Sequence, residues 1–562
     1  MVEGFANAAD EIPAQDAQEQ GSARGGRHAT RDARRAPSAR WAWPAAVAGA
    51  AVILFVLYLR LSGTVPDNSD ASDQALQAWD MLHGNLLLHG WTVGDVSYYT
   101  TEIPEYMLVE LVRGLGAGVV HVSAAVSYTL LVLLAGVAAK GRATGRQGVL
   151  RALIASGILL APQLGHGIHL LILQPDHIGT QVPLLVIFIV IDRAPRRWYV
   201  PVAVTAILAW VILADRVAVL DAAIPLVIVC GLRAFWAYVR DGKPLASQRF
   251  ELSLAAAGIV SFGASEVAIR VIKHLGGYIG LPLPVQHATL AVLPAHIGLS
   301  LAGIVLIYGA DFLGLSSGLS VAIAVVHLAG LALALWAFLR AFRRFFSADL
   351  IVPLLATGIV INVAAYVVSV EPATWFDTRE ILAVLPFGAV LAGRLLAGSL
   401  DRAWLRPALA GVLACYALSL GHGAAQAQVN DSEYPVVAWL EAHHLSYGLG
   451  TYTESNLITL DSGGRVAVVT ASWTSHGAVA RAYESEASWY DPHLHYANFV
   501  VMNYADNPGR PGVSLVPPRD YLALAGPPAH TYHYETFTIL VWNHNLLADL
   551  GSRPSSSPGN IP

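Results

Sequence analysis

The chain has 562 residues, 55% of them hydrophobic and only 13% charged, with a mean hydropathy of +0.53. Soluble domains carry about 25% charged residues, so this deficit and the many long apolar runs exclude an ordinary soluble protein and predict a multi-span membrane protein. The formal net charge of −5 excludes nothing by itself; the two cysteines, Cys230 and Cys415, both in apolar runs, exclude a disulfide framework and a thiolate metal cluster.

Residues 1–40 are rich in Ala, Gly, Arg and acids and lack apolar periodicity, so disorder is expected there. Six arginines between Arg24 and Arg40 form a positive flank that would hold the N-terminus in the cytoplasm; nucleic-acid binding is not expected. A first span follows from about Trp41 to Leu59 and reads as a signal anchor. Next comes Pro66 to Gly84, a short acidic loop running into an amphipathic helix. Asn68 and Ser69 suit helix N-caps, and Asp70 and Asp73 fall in the first turn, where carboxylates are favoured. Leu76, Trp79 and Leu82, with Met81 one step off, make an apolar face at helical spacing. Such a helix would lie on the membrane and hold Asp70 at the water–lipid boundary. The same acids could also do no more than cap and solvate it. The loop, spanning 61–117, goes on through Tyr98, Tyr99, Glu102 and Glu105.

Ten more spans are expected, near 118–138, 149–163, 180–192, 199–214, 217–234, 250–268, 319–340, 349–370, 380–399 and 405–424. The segment 288–310 is also apolar, but Pro294 and histidines interrupt it. Charge distribution arbitrates. Loops assigned to the cytoplasm, with the N-terminus, hold 23 of the 34 basic residues, including Arg142, Arg193, Arg233, Arg343 and Arg394. By contrast, 61–118 carries only Arg113 and 164–178 carries none. The alternation survives only if 288–310 does not cross, so it is read as an interfacial or re-entrant segment on the outer side.

From Gln426 onward Pro, Tyr, His and Asp become common. A helix is expected over 434–444 and strands over 465–470, 497–502 and 536–542. The fold class is therefore an α-helical polytopic membrane protein of about eleven transmembrane helices (41–425) with a small C-terminal extracytoplasmic α/β domain (426–551) and a disordered tail (552–562).

Polar residues gather at the outer ends of the spans, where ionisable groups are costly and often functional. Besides the acids of the first loop, there are His166, His169, Asp176 and His177; then Asp215-Arg216; then Trp375-Phe-Asp-Thr-Arg-Glu380. His166 and His169 are three apart and could share a helix face with Asp176-His177 as further ligands, so a divalent cation is possible. Contacts to sugar hydroxyls or lipid phosphate are the commoner use of such histidines, and Asp176 is also a good N-cap for the next span. Arg379 could snorkel at the span end, or pair with Glu380 or Asp377. In the C-terminal domain Trp473 and the stretch Ser488-Trp-Tyr-Asp-Pro492 could stack on sugars or form a small core. No ATP-binding loop or hydrolase elbow is present.

The first outer loop resembles that of the GT-C glycosyltransferases, membrane enzymes that use lipid-phosphate-linked sugars, such as the lipid A aminoarabinose transferases and protein O-mannosyltransferases. The resemblance rests on Asp70, then Ala78, Met81, Leu82 and Gly84, then Tyr98-Tyr-Thr-Thr-Glu-Ile-Pro104. The family's common D-E pair reads Asp70-Ala71 here, with Asp73 or Asp67 as replacements for the second acid. A second match is Arg379 followed by a short apolar run and Leu385-Pro386, without the family's aromatic after the arginine. The resemblance covers roughly 42–424. It implies a polyprenyl-phosphate sugar donor presented in the bilayer, a glycan, protein or lipid acceptor, and inversion by a single displacement. Asp70, or Asp73, would be the base and Arg379 would contact the phosphate, with Glu102, His166, His169, Asp176 and His177 near the substrates. Two other readings remain: a transporter or flippase of a lipid-linked glycan, using in-span groups such as Glu266 and His327, or a non-catalytic scaffold whose outer domain binds polymer.

Overall fold

The structure, a computed structural model, describes residues 37–162, 166–280, 286–311, 318–346, 349–429, 435–474, 477–480, 483–503 and 525–550. Of the disorder expected over 1–40 and 552–562, residues 1–36 and 552–562 lie outside the described residues, as does the side chain of Trp473, while 37–40 are helical rather than disordered and open the first helix. The chain divides into two units, residues 1–50 and 51–562.

The helices in chain order are α1 (Pro37–Ser62), α2 (Ser69–Leu82), α3 (Glu102–Arg113), α4 (Gly118–Lys140), α5 (Gly145–Leu159), α6 (His166–Leu171), α7 (Ile178–Arg193) and α8 (Tyr199–Ala214). A π-helical turn, Val219–Ala223, leads into α9 (Ile224–Val239). There follow α10 (Arg249–His274), α11 (Leu293–Ile307), α12 (Gly318–Phe342), α13 (Ile351–Val368), α14 (Val384–Leu400), α15 (Arg406–Ala424), α16 (Pro435–Ala442) and α17 (Tyr452–Asp461).

Among the described residues eight stretches are long and apolar enough to cross a membrane: Ala45–Ser62, Gly118–Lys140, Val219–Val239, Leu245–His274, Gly318–Phe342, Ile351–Val368, Phe376–Leu400 and Arg406–Ala424. The protein is thus a multi-pass membrane protein. The other three expected spans are α5, α7 and α8, of 15 or 16 residues, which is about 24 Å of helix. They are short because polar ends finish the job. α7 starts at His177, which pairs with Asp215 at 2.9 Å, and ends at Asp192, which pairs with Arg394 at 2.5 Å. Those two pairs mark opposite faces of the bundle.

On the face away from the site, Arg394 is not a solvated loop charge. It is buried, donates to Ala138 O at 2.9 Å, and pairs with both Asp192 and Asp349. One guanidinium thereby ties α14 to α4, α7 and the start of α13.

The 288–310 segment holds α11. His287 bridges Ser369, and His296 Nδ1 donates to Val367 O, 3.0 Å away, both beside the end of α13. α11 then descends along 376–384, where the Tyr308 hydroxyl donates to Val384 O at 2.9 Å. α12 afterwards runs to the far face, where Arg233 donates to Phe345 O.

Among the described residues there are nine strands: β1 (Trp91–Val93), β2 (Ile279–Gly280), β3 (Tyr447–Gly450), β4 (Ala467–Thr474), β5 (Gly477–Ala480), β6 (Ser485–Glu486), β7 (Phe499–Asn503), β8 (His530–Tyr534) and β9 (Phe537–Val541). Six form a sheet in the order β5-β4-β3-β7-β9-β8. β3 runs parallel to β4 and β7, with Leu449 opposite Val469 and Val500; the outer pairs are antiparallel. Val468, Val501 and Ile539 pack one face with Val436, Leu440 and Ile458 of α16 and α17, while Leu449, Val500, Leu540 and Trp542 bury the other. A second sheet, β2-β1-β6, joins the first loop, the segment after α10 and the C-terminal region. Trp489 meets Trp91 edge-on at 5.0 Å and Tyr490 donates to Thr470 O, so these aromatics serve packing.

Candidate active site

Asn68 starts α2 as its N-cap: its side chain accepts from Ala71 N at 2.9 Å. That cap sets the rotation of the helix and turns Asp70 and Asp73 toward one cleft. The cleft is lined by Asp70, Asp73, Gln74 and Gln77 of α2, by Gly94 to Tyr98, and by Asp176, Arg379, Tyr483 and Glu484. Among these lining residues Arg379 is the one cation.

Arg379 Nη1 lies 3.4 Å from Asp70 Oδ2, and both side chains remain about a quarter exposed. The guanidinium also covers the Phe376 ring at 4.6 Å, a cation–π contact that fixes its plane. The other oxygen of Asp70 accepts from the Tyr452 hydroxyl at 2.5 Å, and the same hydroxyl contacts Glu484. Ser69 Oγ donates to Tyr452 O at 2.5 Å, so the first turns of α2 and α17 are bonded together.

Asp73 differs from Asp70. It is 2% exposed, accepts from Gln77 Nε2 at 2.5 Å, and its second oxygen has no hydrogen-bond partner among the described residues. Burial pushes its carboxyl well above the usual range, opposed by Gln77 and reinforced by the charges of Asp70 and Asp176. That direction favours the protonated form of Asp73, whereas a base needs to be ionised. Asp176 accepts from Gln74 at 2.7 Å and from Gln174. Burial, set against Arg379 and Gln74, places its pKa at about 6.

The other expected site residues stand around this cleft rather than in its lining. His177 bridges Asp215 (2.9 Å) and Glu380 (3.2 Å) and so braces the turn that carries Arg379. Burial works against its protonation, but Glu380 and Asp215 outweigh burial and keep it an imidazolium. Glu102 is fully buried under the start of α7, contacting Thr101 and, at 3.4 Å, Thr180. A methyl group at Gly179 would fall 2.7 Å from its side chain, so glycine is required for this approach. Burial raises the Glu102 carboxyl well above its ordinary range. His166 and His169 pack on Trp375, with ring centroids 4.2 and 6.5 Å away. Asp67 is engaged elsewhere, 3.1 Å from His121. Among the described residues no group of three His, Cys, Asp or Glu side chains is arranged to hold a metal ion.

Tyr98, His177 and Glu484 all have left-handed backbones (φ of 48°, 55° and 49°). Each costs about 1–3 kcal/mol, and such strain collects at functional sites. Sequence reading missed Tyr452, Glu484, Gln74 and Gln77. Tyr452 follows β3, at the C-terminal edge of parallel strands, where clefts form. The glycines of Tyr-Gly-Leu-Gly hid that strand.

Comparison with family models and with curated proteins gives no match. Solved structures do match. ArnT from Cupriavidus metallidurans in the apo state aligns over 92% of this chain and 100% of its own, at 14% identity and a TM-score of 0.53. ArnT bound to undecaprenyl phosphate aligns over 91% and 100%, at 12% identity and 0.52. This chain shares the fold of ArnT. An oligosaccharyltransferase from Archaeoglobus fulgidus covers 81% of this chain and 67% of its own at 12% identity, with a TM-score of 0.45. In this fold the Asp70–Arg379 pair sits where the first loop meets the turn before α14.

Proposed function

We propose that the protein is a membrane glycosyltransferase that moves a sugar from a polyprenyl-phosphate donor to an acceptor hydroxyl, on the extracytoplasmic side of the cytoplasmic membrane. The observation that carries this reading is the Asp70–Arg379 pair, 3.4 Å apart and partly open to a cleft whose other charges are acidic. The likeness to ArnT, one of whose structures holds undecaprenyl phosphate, supports the donor class. The distribution of basic residues supports the sidedness.

In the reaction the acceptor oxygen attacks the anomeric carbon as the bond from that carbon to the phosphate oxygen breaks. Asp70 takes the hydroxyl proton. The phosphate leaves with the bonding electron pair, and Arg379 stabilises the charge that builds on it. One displacement inverts the anomeric centre. Asp73, holding its proton, donates or accepts hydrogen bonds to the sugar rather than acting as base. Asp176 contacts the sugar from the opposite wall, and His177 and Glu102 hold the floor of the cleft in place. His166 and His169 contact the donor beside Trp375. The acceptor is a glycan, a protein or a lipid.

The transport reading finds less support. Glu266 is paired with Arg216 at 2.9 Å, and His327 bonds two backbone carbonyls while stacking on Tyr416. Both in-span groups are occupied by the fold.

The test is sugar transfer by purified protein in lipid, given radiolabelled polyprenyl-phosphate sugars and a cell-envelope extract. Wild type is expected to transfer label, and Asp70→Asn to lose at least about 10²- to 10⁴-fold while still binding donor. Unimpaired transfer by a folded Asp70→Asn would move the base elsewhere. No transfer by wild type from any donor would reject the enzyme.

A further inference from the structure

Asp70 is held from a direction that the transmembrane helices do not supply. Tyr452 opens α17, and Glu484 lies just before β6; both belong to the C-terminal region. The Tyr452 hydroxyl meets Asp70 Oδ1 at 2.5 Å and also contacts Glu484. A phenol has one proton to give. Donated to Asp70, it leaves only the phenol lone pairs for Glu484, so the Glu484 carboxyl must itself carry a proton and donate it. Glu484 is 8% exposed, and its left-handed backbone is what brings the carboxyl to Tyr452. Every charged neighbour agrees with a neutral acid there. Asp70 and Asp73 face it from α2, Asp95 lines the same cleft, and the one cation, Arg379, is engaged with Asp70. Burial comes first, then Asp73 and Asp70, in pushing its carboxyl well above the ordinary range; Tyr452 and Tyr483 oppose this.

We propose that Tyr452 and Glu484 form a clamp in which the Glu484 acid donates to the Tyr452 hydroxyl and that hydroxyl donates to Asp70, so that the C-terminal region aims the base of the transfer reaction. This rests on the function proposed above. Tyr452 and Glu484 are positioning residues. With Oδ1 of Asp70 occupied by the phenol, Oδ2 is the oxygen that meets the acceptor hydroxyl once the donor phosphate draws Arg379 away. No proton leaves the clamp during a turnover; it directs one carboxylate lone pair. Ionisation of Glu484 would place two carboxylates, its own and that of Asp70, around one phenol proton and release Asp70.

The experiment uses the full chain in lipid nanodiscs and two readouts, transfer kinetics across pH and the infrared C=O band of protonated carboxyl groups. For Tyr452→Phe, kcat is expected to fall about 10- to 100-fold with donor KM unchanged, and the acid limb of the pH profile to move to higher pH. Glu484→Gln keeps a donor toward the phenol, so it is expected to lose less turnover than Glu484→Ala and to flatten the alkaline limb. A protonated-carboxyl band should vanish in Glu484→Gln and shift in Tyr452→Phe. An unaltered pH profile in Tyr452→Phe, or a band untouched by Glu484→Gln, would overturn the clamp even if wild type transfers sugar. A normal band with no transfer by wild type would overturn the function and the clamp's part in it.

Discussion

Glu110 of α3 is 2% exposed, and neither carboxylate oxygen has a hydrogen-bond partner among the described residues. Burial alone pushes its pKa from 4.5 up to about 9. The folded state therefore keeps a proton that the unfolded chain has lost, and stability falls as pH rises from about 4.5 to about 9. At pH 7 that penalty reaches at most about 3 kcal/mol. Glu110→Gln should raise the thermal midpoint at pH 8 and leave it nearly unchanged at pH 5, as read by unfolding scans in detergent. An equal shift at both pH values would mean that the carboxyl charge is not the cause. At this same scale, Asp70 and Arg379 were legible in the sequence as charges near the outer ends of spans, where an unneeded charge is rarely kept. Their 309-residue separation hid the pairing. The difference between Asp70 and Asp73 was illegible, because it depends on how deeply the rest of the fold buries each side of α2.

Among the elements, hydropathy located the apolar helices and their ends, and eight described stretches are long and apolar enough to cross a membrane. It misread the charge at one of those ends. Arg394 looks like any positive residue at a cytoplasmic boundary, yet it holds Asp192 and Asp349 inside the bundle. Removing one partner of a buried pair costs about 3–5 kcal/mol, because the carboxylates left behind are uncompensated. Arg394→Ala should lose that much in thermal or denaturant unfolding. Adding Asp349→Asn should recover part of it, whereas the two losses would simply add if Arg394 acted only by packing. The strands were harder. Those after 465, 497 and 536 carry β-branched and aromatic residues and were legible. β1, β2 and β6 have two or three residues each, too few for any alternation to show, although they join the C-terminal region to the first loop.

Over the whole molecule, sidedness follows from where the basic residues end up. Arg142, Arg193 and Lys243 lie at the ends of helices opposite to Asp215 and the cleft, and the sequence rule places such residues in the cytoplasm. Cysteine labelling of intact cells tests this. Cys230 is buried and Cys415 exposed, so Cys415→Ser supplies a quiet background. Leu494, 64% exposed beside the C-terminal sheet, and Lys243, between α9 and α10, are surface positions on the two sides. An impermeant thiol reagent should label Leu494→Cys in intact cells and reach Lys243→Cys only after the membrane is opened. The reverse pattern would put the cleft in the cytoplasm. The donor sugar would then have to be presented on the inner leaflet, and the proposed reaction would need a different source of acceptor. Labelling of both positions in intact cells would mean that the chain inserts in two orientations. The spacing of six N-terminal arginines before a single apolar span argues against that outcome, because such a flank resists translocation.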